Sequence, residues 1–391
     1  MHRLRRHRVV LAVSLVLLVG AGLAVRTFLA LLKTDPGFNA DNLLTLNISL
    51  PSSKYTDEPK REAFYTELIQ RMKSTPGVES AAAVNYLPLG GSNSSDAYLV
   101  EGEAEPPPDQ ENLGRYRVCT PDYFQTMGIR LISGRTFTEQ DKKDTPLVVM
   151  INEAMARKHW PNQDAVGKRI RWYGSLDKAP WIQVVGVVQD VKHELNIPVT
   201  PEFYLPYAQD VWGSMVVVAR TKVDPASLAG AVRQQVWAID KDQAVYDVHT
   251  MQEVRSISVG MYSSGSVMLG IFAGVALLLA SMGIYGVMAF AVSQRTQEIG
   301  IRMALGARRV DVLKLVFRHG MKLALLGIVI GLLGSWGLTR FMKGLLFGVE
   351  PTDLLTFSLV SLCLLVSAFL ACYLPARRAT KVDPLEALRY E

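Results

Sequence analysis

The chain has 391 residues, of which 49% are hydrophobic and 20% charged, against about 25% charged in an ordinary soluble domain. With a mean hydropathy of +0.16, this excludes a disordered or collagen-like chain and predicts long apolar stretches. A net charge of +6 and a pI of about 9.1 would suggest nucleic acid or another polyanion as partner only if the excess were spread over a soluble surface, so the position of the charge decides.

Val9 to Leu32 is apolar apart from Ser14, Arg26 and Thr27, long enough at about 1.5 Å per residue to cross a hydrocarbon core of about 30 Å. Arg26 falls near its far end, where a long side chain snorkels to the interface. The basic start MHRLRRHR also suits a secretory signal peptide, but the apolar run is too long and no small-residue cleavage site precedes Lys33.

After this span the pattern changes to short alternating strands and amphipathic helices. LLTLNISL (Leu43 to Leu50) predicts a strand, Glu58 to Ser74 a helix closed by Pro76-Gly77, and Val78 to Leu87 a second strand. A similar unit closes the segment: a strand at Met215 to Thr221, a helix from Pro225 to Ile239, then AVYDVHTM. The two β-α-β units suggest one porter-like subdomain, about 41–90 with 210–255, interrupted by an insertion at about 91–209. Within the insertion lie the proline run Pro106 to Pro108, strands at Leu147 to Ile151 and Trp181 to Val188, and a helix from Glu153 to Trp160.

Three further apolar stretches follow, Ser266 to Ala291, Leu323 to Phe341 and Leu354 to Leu374, each about 19 to 26 residues and long enough to span. Buried helices of a soluble core are the less favoured reading. Two of the stretches are rich in glycine (Gly270, Gly274, Gly283 and Gly286; Gly327, Gly331, Gly334 and Gly337), which lets membrane helices approach closely.

Lys and Arg in the short flanks set orientation. The N-terminal flank carries Arg3, Arg5, Arg6 and Arg8. The connection between the second and third spans carries Arg295, Arg302, Arg308, Arg309, Lys314, Arg318 and Lys322, and the tail Arg377, Arg378, Lys381 and Arg389. All three belong in the cytoplasm, which four spans allow. Residues 33–265, with 24 Lys and Arg against 29 Asp and Glu, then lie outside at a net −5, leaving +11 for the rest. The expected fold is a membrane protein of α+β class, four transmembrane helices arranged 1+3 with a large mixed α/β domain inserted between the first and second. Its parts are 1–32, 33–265 and 266–391.

No GxxxxGK[ST] loop, GxSxG, HExxH or CxxC occurs, and the three cysteines, Cys119, Cys363 and Cys372, match no metal-ligand spacing. No catalytic site, metal or cofactor is expected. His193-Glu194 reads as a solvated loop pair and His159 as structural. Glu139, Asp141 and Asp144 read as a solvated turn, since Lys142 and Lys143 interleave them. Asn47 and Asn93 begin glycosylation sequons, a motif with many false positives. The informative segment is Ser293 to Arg309. Glu298 and Arg302 are four apart and can pair on a helix, Ile299 and Met303 form an apolar stripe, and Gly306 can end the helix left-handed. A lipid-surface helix, the positive-inside charge of a loop, and a docking helix for a cytoplasmic partner are all compatible with it.

EIGIRMALGARRVDVL (Glu298 to Leu313) resembles the coupling segment of MacB/FtsX-type ABC transporter permeases, and LPARRATKVDPLEALRYE, from Leu374, resembles that family's C-terminal ending. Thr120 to Asp141, Val148 to Trp172 and Val184 to His193 are similar to its periplasmic core domain. Ser14 to Leu46 is similar to the opening of one half of the duplicated orphan permeases of acidobacterial type. The resemblance implies an inner-membrane, multi-pass permease with cytoplasmic termini and residues 33–265 periplasmic. It implies a homodimer or a pairing with a second half-permease, a separate cytoplasmic ABC ATPase, and a possible periplasmic adaptor; nucleic acid is not among the partners. It assigns the ATPase-coupling role to Glu298, Ile299, Gly300, Ile301, Arg302, Ala304, Leu305, Gly306 and Arg308. ATPase motion would reach the periplasmic domain mechanically and drive export or extraction of a substrate. The alternative is an FtsX-like signalling module without transport.

Overall fold

The computed structural model describes residues 2–107, 109–173, 179–294, 309–341, 350 and 352–379. The chain divides into two units, Met1–Lys33 with Gly260–Glu391, and Thr34–Val259.

The second unit is built on strands β1 (Leu43–Ser49), β2 (Val78–Val84), β10 (Ser214–Thr221) and β11 (Val245–Thr250), hydrogen-bonded in the order β11-β1-β10-β2. The β1–β10, β1–β11 and β10–β2 pairings are antiparallel. This is the split β-α-β arrangement, in which each half supplies two strands and one helix. Helix α2 (Glu58–Lys73) starts where Asp57 accepts from the Lys60 amide and Pro59 occupies the first turn. Its buried stripe, Phe64, Tyr65, Leu68, Ile69 and Met72, recurs at helical spacing and covers Leu44, Leu46 and Ile48 of β1. Helix α5 (Pro225–Ile239), capped by Asp224, adds Val232 and Val236 to the same core. The Tyr65 hydroxyl donates to the carbonyls of Ile48 and Gly213, so even the polar tip of this core is satisfied.

Between β2 and β10 the chain makes β3 (Ser95–Val100), β4 (Asn112–Cys119), α3 (Tyr123–Met127), β5 (Leu131–Gly134), β6 (Val148–Asn152), α4 (Glu153–His159), β7 (Arg169–Trp172), β8 (Ile182–Val188) and β9 (Glu202–Pro206). Six of these strands close on themselves in the order β4-β3-β7-β8-β6-β9, and the parallel pairing of β9 with β4, Arg115↔Glu202 through Cys119↔Pro206, completes the ring. Closure removes the free edges such short strands would otherwise expose. Alternate residues fill the interior, among them Tyr98 and Val100, Val149 and Ile151, Ile182 and Val184, Phe203 and Leu205. A single pair, Val84↔Cys119, joins this barrel to the four-stranded sheet.

The first unit consists of helices. Helix α1 (His2–Lys33), α6 (Met251–Gln294, which begins in the other unit), α7 (Arg309–Phe341) and α8 (Leu354–Ala379) contribute Leu15, Val19 and Leu23; Ala280, Ile284 and Met288; Ala324 and Ile328; and Val360, Leu364 and Ala368 to one core. Each set repeats every four residues, the spacing that keeps one helix face turned inward. Among the described residues three stretches are long and apolar enough to cross a membrane, Ala12–Lys33, Val267–Gln294 and Leu354–Pro375. The apolar part of α7, Ala324–Arg340, is shorter than these.

Candidate functional site

The residues with an expected coupling role, Glu298, Ile299, Gly300, Ile301, Arg302, Ala304, Leu305, Gly306 and Arg308, lie outside the described residues. What the structure gives for the membrane unit is the frame on either side of them, α6 ending at Gln294 and α7 starting at Arg309.

That frame is tight where α1 meets α7. A Cβ on Gly331 would fall 2.8 Å from Leu15 Cβ and 3.2 Å from Ala12 Cα, so the two backbones approach only because this residue has no side chain. The glycine-rich pattern does not extend this role to every position: Gly270, Gly274, Gly286 and Gly337 meet nothing within 4 Å. Ser14 Oγ donates to the Ala276 carbonyl at 2.9 Å, tying α1 to α6. At the other end of α1, Arg26 donates to Asp353, so its charge has a protein partner instead of only an interface to snorkel toward. Asp353 Oδ2 also accepts from the Thr356 amide at 2.8 Å, which caps the start of α8.

In the α/β unit the charged residues correct two sequence expectations. His193 is not part of a solvated pair. It is buried, its Nε2 2.5 Å from Glu202 Oε1, and Arg117 Nε stands 3.1 Å from the same oxygen. Arg117, wholly excluded from solvent, also donates to Asn93 Oδ1 at 2.5 Å, to the Tyr116 carbonyl at 2.8 Å and to His193 Nδ1 at 3.0 Å. Since Nδ1 accepts, the ring proton is assigned to Nε2, facing the carboxylate. Burial holds the His193 ring below its ordinary pKa. Burial pushes the Glu202 carboxyl up, but His193 and Arg117 outweigh it and hold the group low. Glu194 is half exposed and pairs with Arg115 at 3.2 Å.

Asp141 is likewise no solvated turn residue. Arg135 binds both of its oxygens at 2.8 Å and the Thr138 amide donates to it at 2.8 Å, leaving it buried, while Glu139 and Asp144 stay exposed. Its carboxyl is pushed up by burial and pulled down further by these bonds, to a net low value. His159 packs as expected: Nε2 lies 2.8 Å from the Tyr98 hydroxyl and Nδ1 2.9 Å from Glu103 Oε1. Burial raises the Tyr98 pKa, so its hydroxyl stays protonated in the barrel core. Among the described residues no group of three or more His, Cys, Asp or Glu could hold a metal ion.

Apolar helices of membrane-spanning length and a large separately folded α/β unit inserted after the first of them define a multi-span membrane protein with an extramembrane domain. Two family models match it: the MacB-like periplasmic core domain over residues 9–235 and the FtsX-like permease C-terminal domain over residues 270–384. The chain belongs to the MacB/FtsX family of ABC transporter permeases. It is 29% identical to the uncharacterised ABC transporter permease YvrN of Bacillus subtilis over 69% of this chain and 68% of that one. It is 25% identical to the permease YknZ of the same organism over 97% and 92%. The macrolide export ATP-binding/permease protein MacB of Escherichia coli K12 is 28% identical over 69% of this chain, a match that spans 42% of MacB. Among solved structures, the periplasmic region of MacB from Actinobacillus actinomycetemcomitans aligns with 58% of this chain and 96% of its own, at 14% identity and a TM-score of 0.39.

Proposed function

We propose that the chain is a non-enzymatic subunit of a MacB-like ABC transporter in the bacterial inner membrane. ATP hydrolysis belongs to a separate cytoplasmic ATPase, whose motion the membrane helices pass to the periplasmic domain, driving export or extraction of a substrate. The observation that carries this reading is the joint occurrence, in one chain, of the MacB-like core domain and the FtsX-like permease domain, with the segment Glu298 to Leu305 inside the latter. The related MacB proteins are named as combined ATP-binding and permease proteins, which fits a chain of permease type working beside an ATPase. In this reading the protein has four spans, Ala324–Arg340 lying at the lower end of the roughly 17–25 residues a bilayer requires. It acts as a homodimer or with a second half-permease, and a periplasmic adaptor is a further partner.

Affinity capture of the full chain from its native membrane tests the coupling. The wild type retains a nucleotide-binding ATPase, and the charge swap Glu298→Arg with Arg302→Glu reduces its recovery. A chain that retains none, or a swap that leaves recovery unchanged, sinks the coupling role. Substrate accumulation in cells lacking the chain separates transport from signalling: a full phenotype with unchanged efflux overturns transport.

A further inference from the structure

One mouth of the six-stranded barrel is open as a cleft of about 380 Å³, within the roughly 300–1,000 Å³ usual for small-molecule pockets, which favour barrel mouths. Its walls come from the interior-facing ends of the strands and from the segment after β9. Tyr116, Trp172 and Trp212 form a continuous aromatic wall. The Tyr116 ring lies 5.9 Å from each tryptophan ring, at interplanar angles of 59° and 40°. Leu205 and Ile182 supply aliphatic surface.

Ser94 and Gln209 give this cleft neutral polar groups, and its charged lining is of one sign: Asp96 and Asp210 line it, and among the described residues no lysine, arginine or histidine does. Asp96 Oδ1 accepts from the neighbouring Ala97 amide, and the residue is exposed at the rim. Burial raises the Asp210 carboxyl above its ordinary value; a hydrogen bond from the Trp212 side chain pulls it down, and the charge of Glu58 pushes it up again. A carboxylate that is short of positive charge, set beside aromatic rings, favours a cation. With two carboxylates, and no third His, Cys, Asp or Glu grouped with them among the described residues, the cleft offers a bare metal ion only part of the oxygen shell it needs. It suits a charge carried under alkyl groups.

We propose that this barrel mouth binds an organic cation of the alkylated ammonium class, its substituents against Tyr116, Trp172 and Trp212 and its charge neutralised by Asp210 with Asp96. The site stands independently of the coupling role proposed above, since neither residue set includes a member of the other.

Calorimetry on the full chain in nanodiscs, with choline as the probe, tests this. Its control is the uncharged isostere in which a tert-butyl group replaces the trimethylammonium. Choline binds saturably and the isostere about tenfold or more weakly, the ratio that about 1.4 kcal/mol of cation-specific attraction produces. Asp210→Asn weakens choline several-fold without changing the isostere, whereas Trp212→Phe, which shrinks the wall both probes touch, weakens both. Should Asp210→Asn misfold, Asp96→Asn at the exposed rim gives the same contrast with a smaller effect. Absence of saturable choline binding, equal affinity for the two probes, or folded carboxylate variants that bind choline as the wild type does would each overturn the proposal.

Discussion

Glu202 holds two nitrogen partners inside the barrel wall, and removing its charge leaves the buried Arg117 guanidinium without a counter-charge. Truncating one member of a buried ion pair costs about 3–5 kcal/mol, because the other charge stays desolvated. Glu202→Gln should therefore lower the thermal midpoint of the α/β unit in the full chain substantially, read by circular dichroism; an unchanged midpoint contradicts the assigned geometry. The same cluster sets a pH response. His193 has its folded pKa below its ordinary 6.5 and Glu202 below its ordinary 4.5, so in both cases the unfolded chain binds protons more readily. Stability is complete above these unfolded values. It declines as pH falls, first through the histidine and then through the carboxylate, and His193→Gln should flatten the earlier part of that decline. None of this was legible in the sequence, where His193 stands next to Glu194 and reads as exposed. Its actual partner opens a strand in the following segment, and Arg117 reaches it through the parallel β4–β9 pairing, which leaves no local trace.

Among the elements, local chemistry gave good boundaries where it acts locally. Asp57 with Pro59 and Asp224 with Pro225 fix the starts of α2 and α5, and the observed helices run over Glu58–Lys73 and Pro225–Ile239 as the periodicity predicts. Strands β3, β4, β7 and β9 were not legible, since each is short and is defined by partners far along the chain. Glycine shows a similar limit in the membrane unit. Composition says that helices can approach closely, and only the packed structure says that Gly331, in the glycine-rich stretch of α7, is a place where they do. Gly331→Ala should weaken the α1–α7 contact by about 1–3 kcal/mol, the usual cost of overpacking, whereas Gly337→Ala, with open space around it, should not. Detergent-solubilised melts of the two variants distinguish them, and equal midpoints would refute the close approach at Gly331.

At the scale of the whole molecule the charge asymmetry does more than the net charge. The +6 of the full chain divides into −5 for residues 33–265 and +11 for the remainder, where the basic residues crowd the ends of the apolar stretches. Positive charge in short flanks is retained on the cytoplasmic side, whereas a long acidic domain is translocated with little hindrance. The family match places a MacB-like periplasmic core within residues 9–235, in agreement with an exported acidic segment. Orientation follows as an experiment: a reporter fused after Arg309 should be active only as a cytoplasmic protein, and one fused after Lys178 only as an exported one. Replacing Arg3, Arg5, Arg6 and Arg8 together by Gln removes the cytoplasmic anchor of the first span and should raise the fraction of inverted chains. If the two fusions report the same side, the pairing of four spans with cytoplasmic termini is wrong, and the charge of the segment from Arg295 to Lys322 would then need a different explanation from membrane orientation.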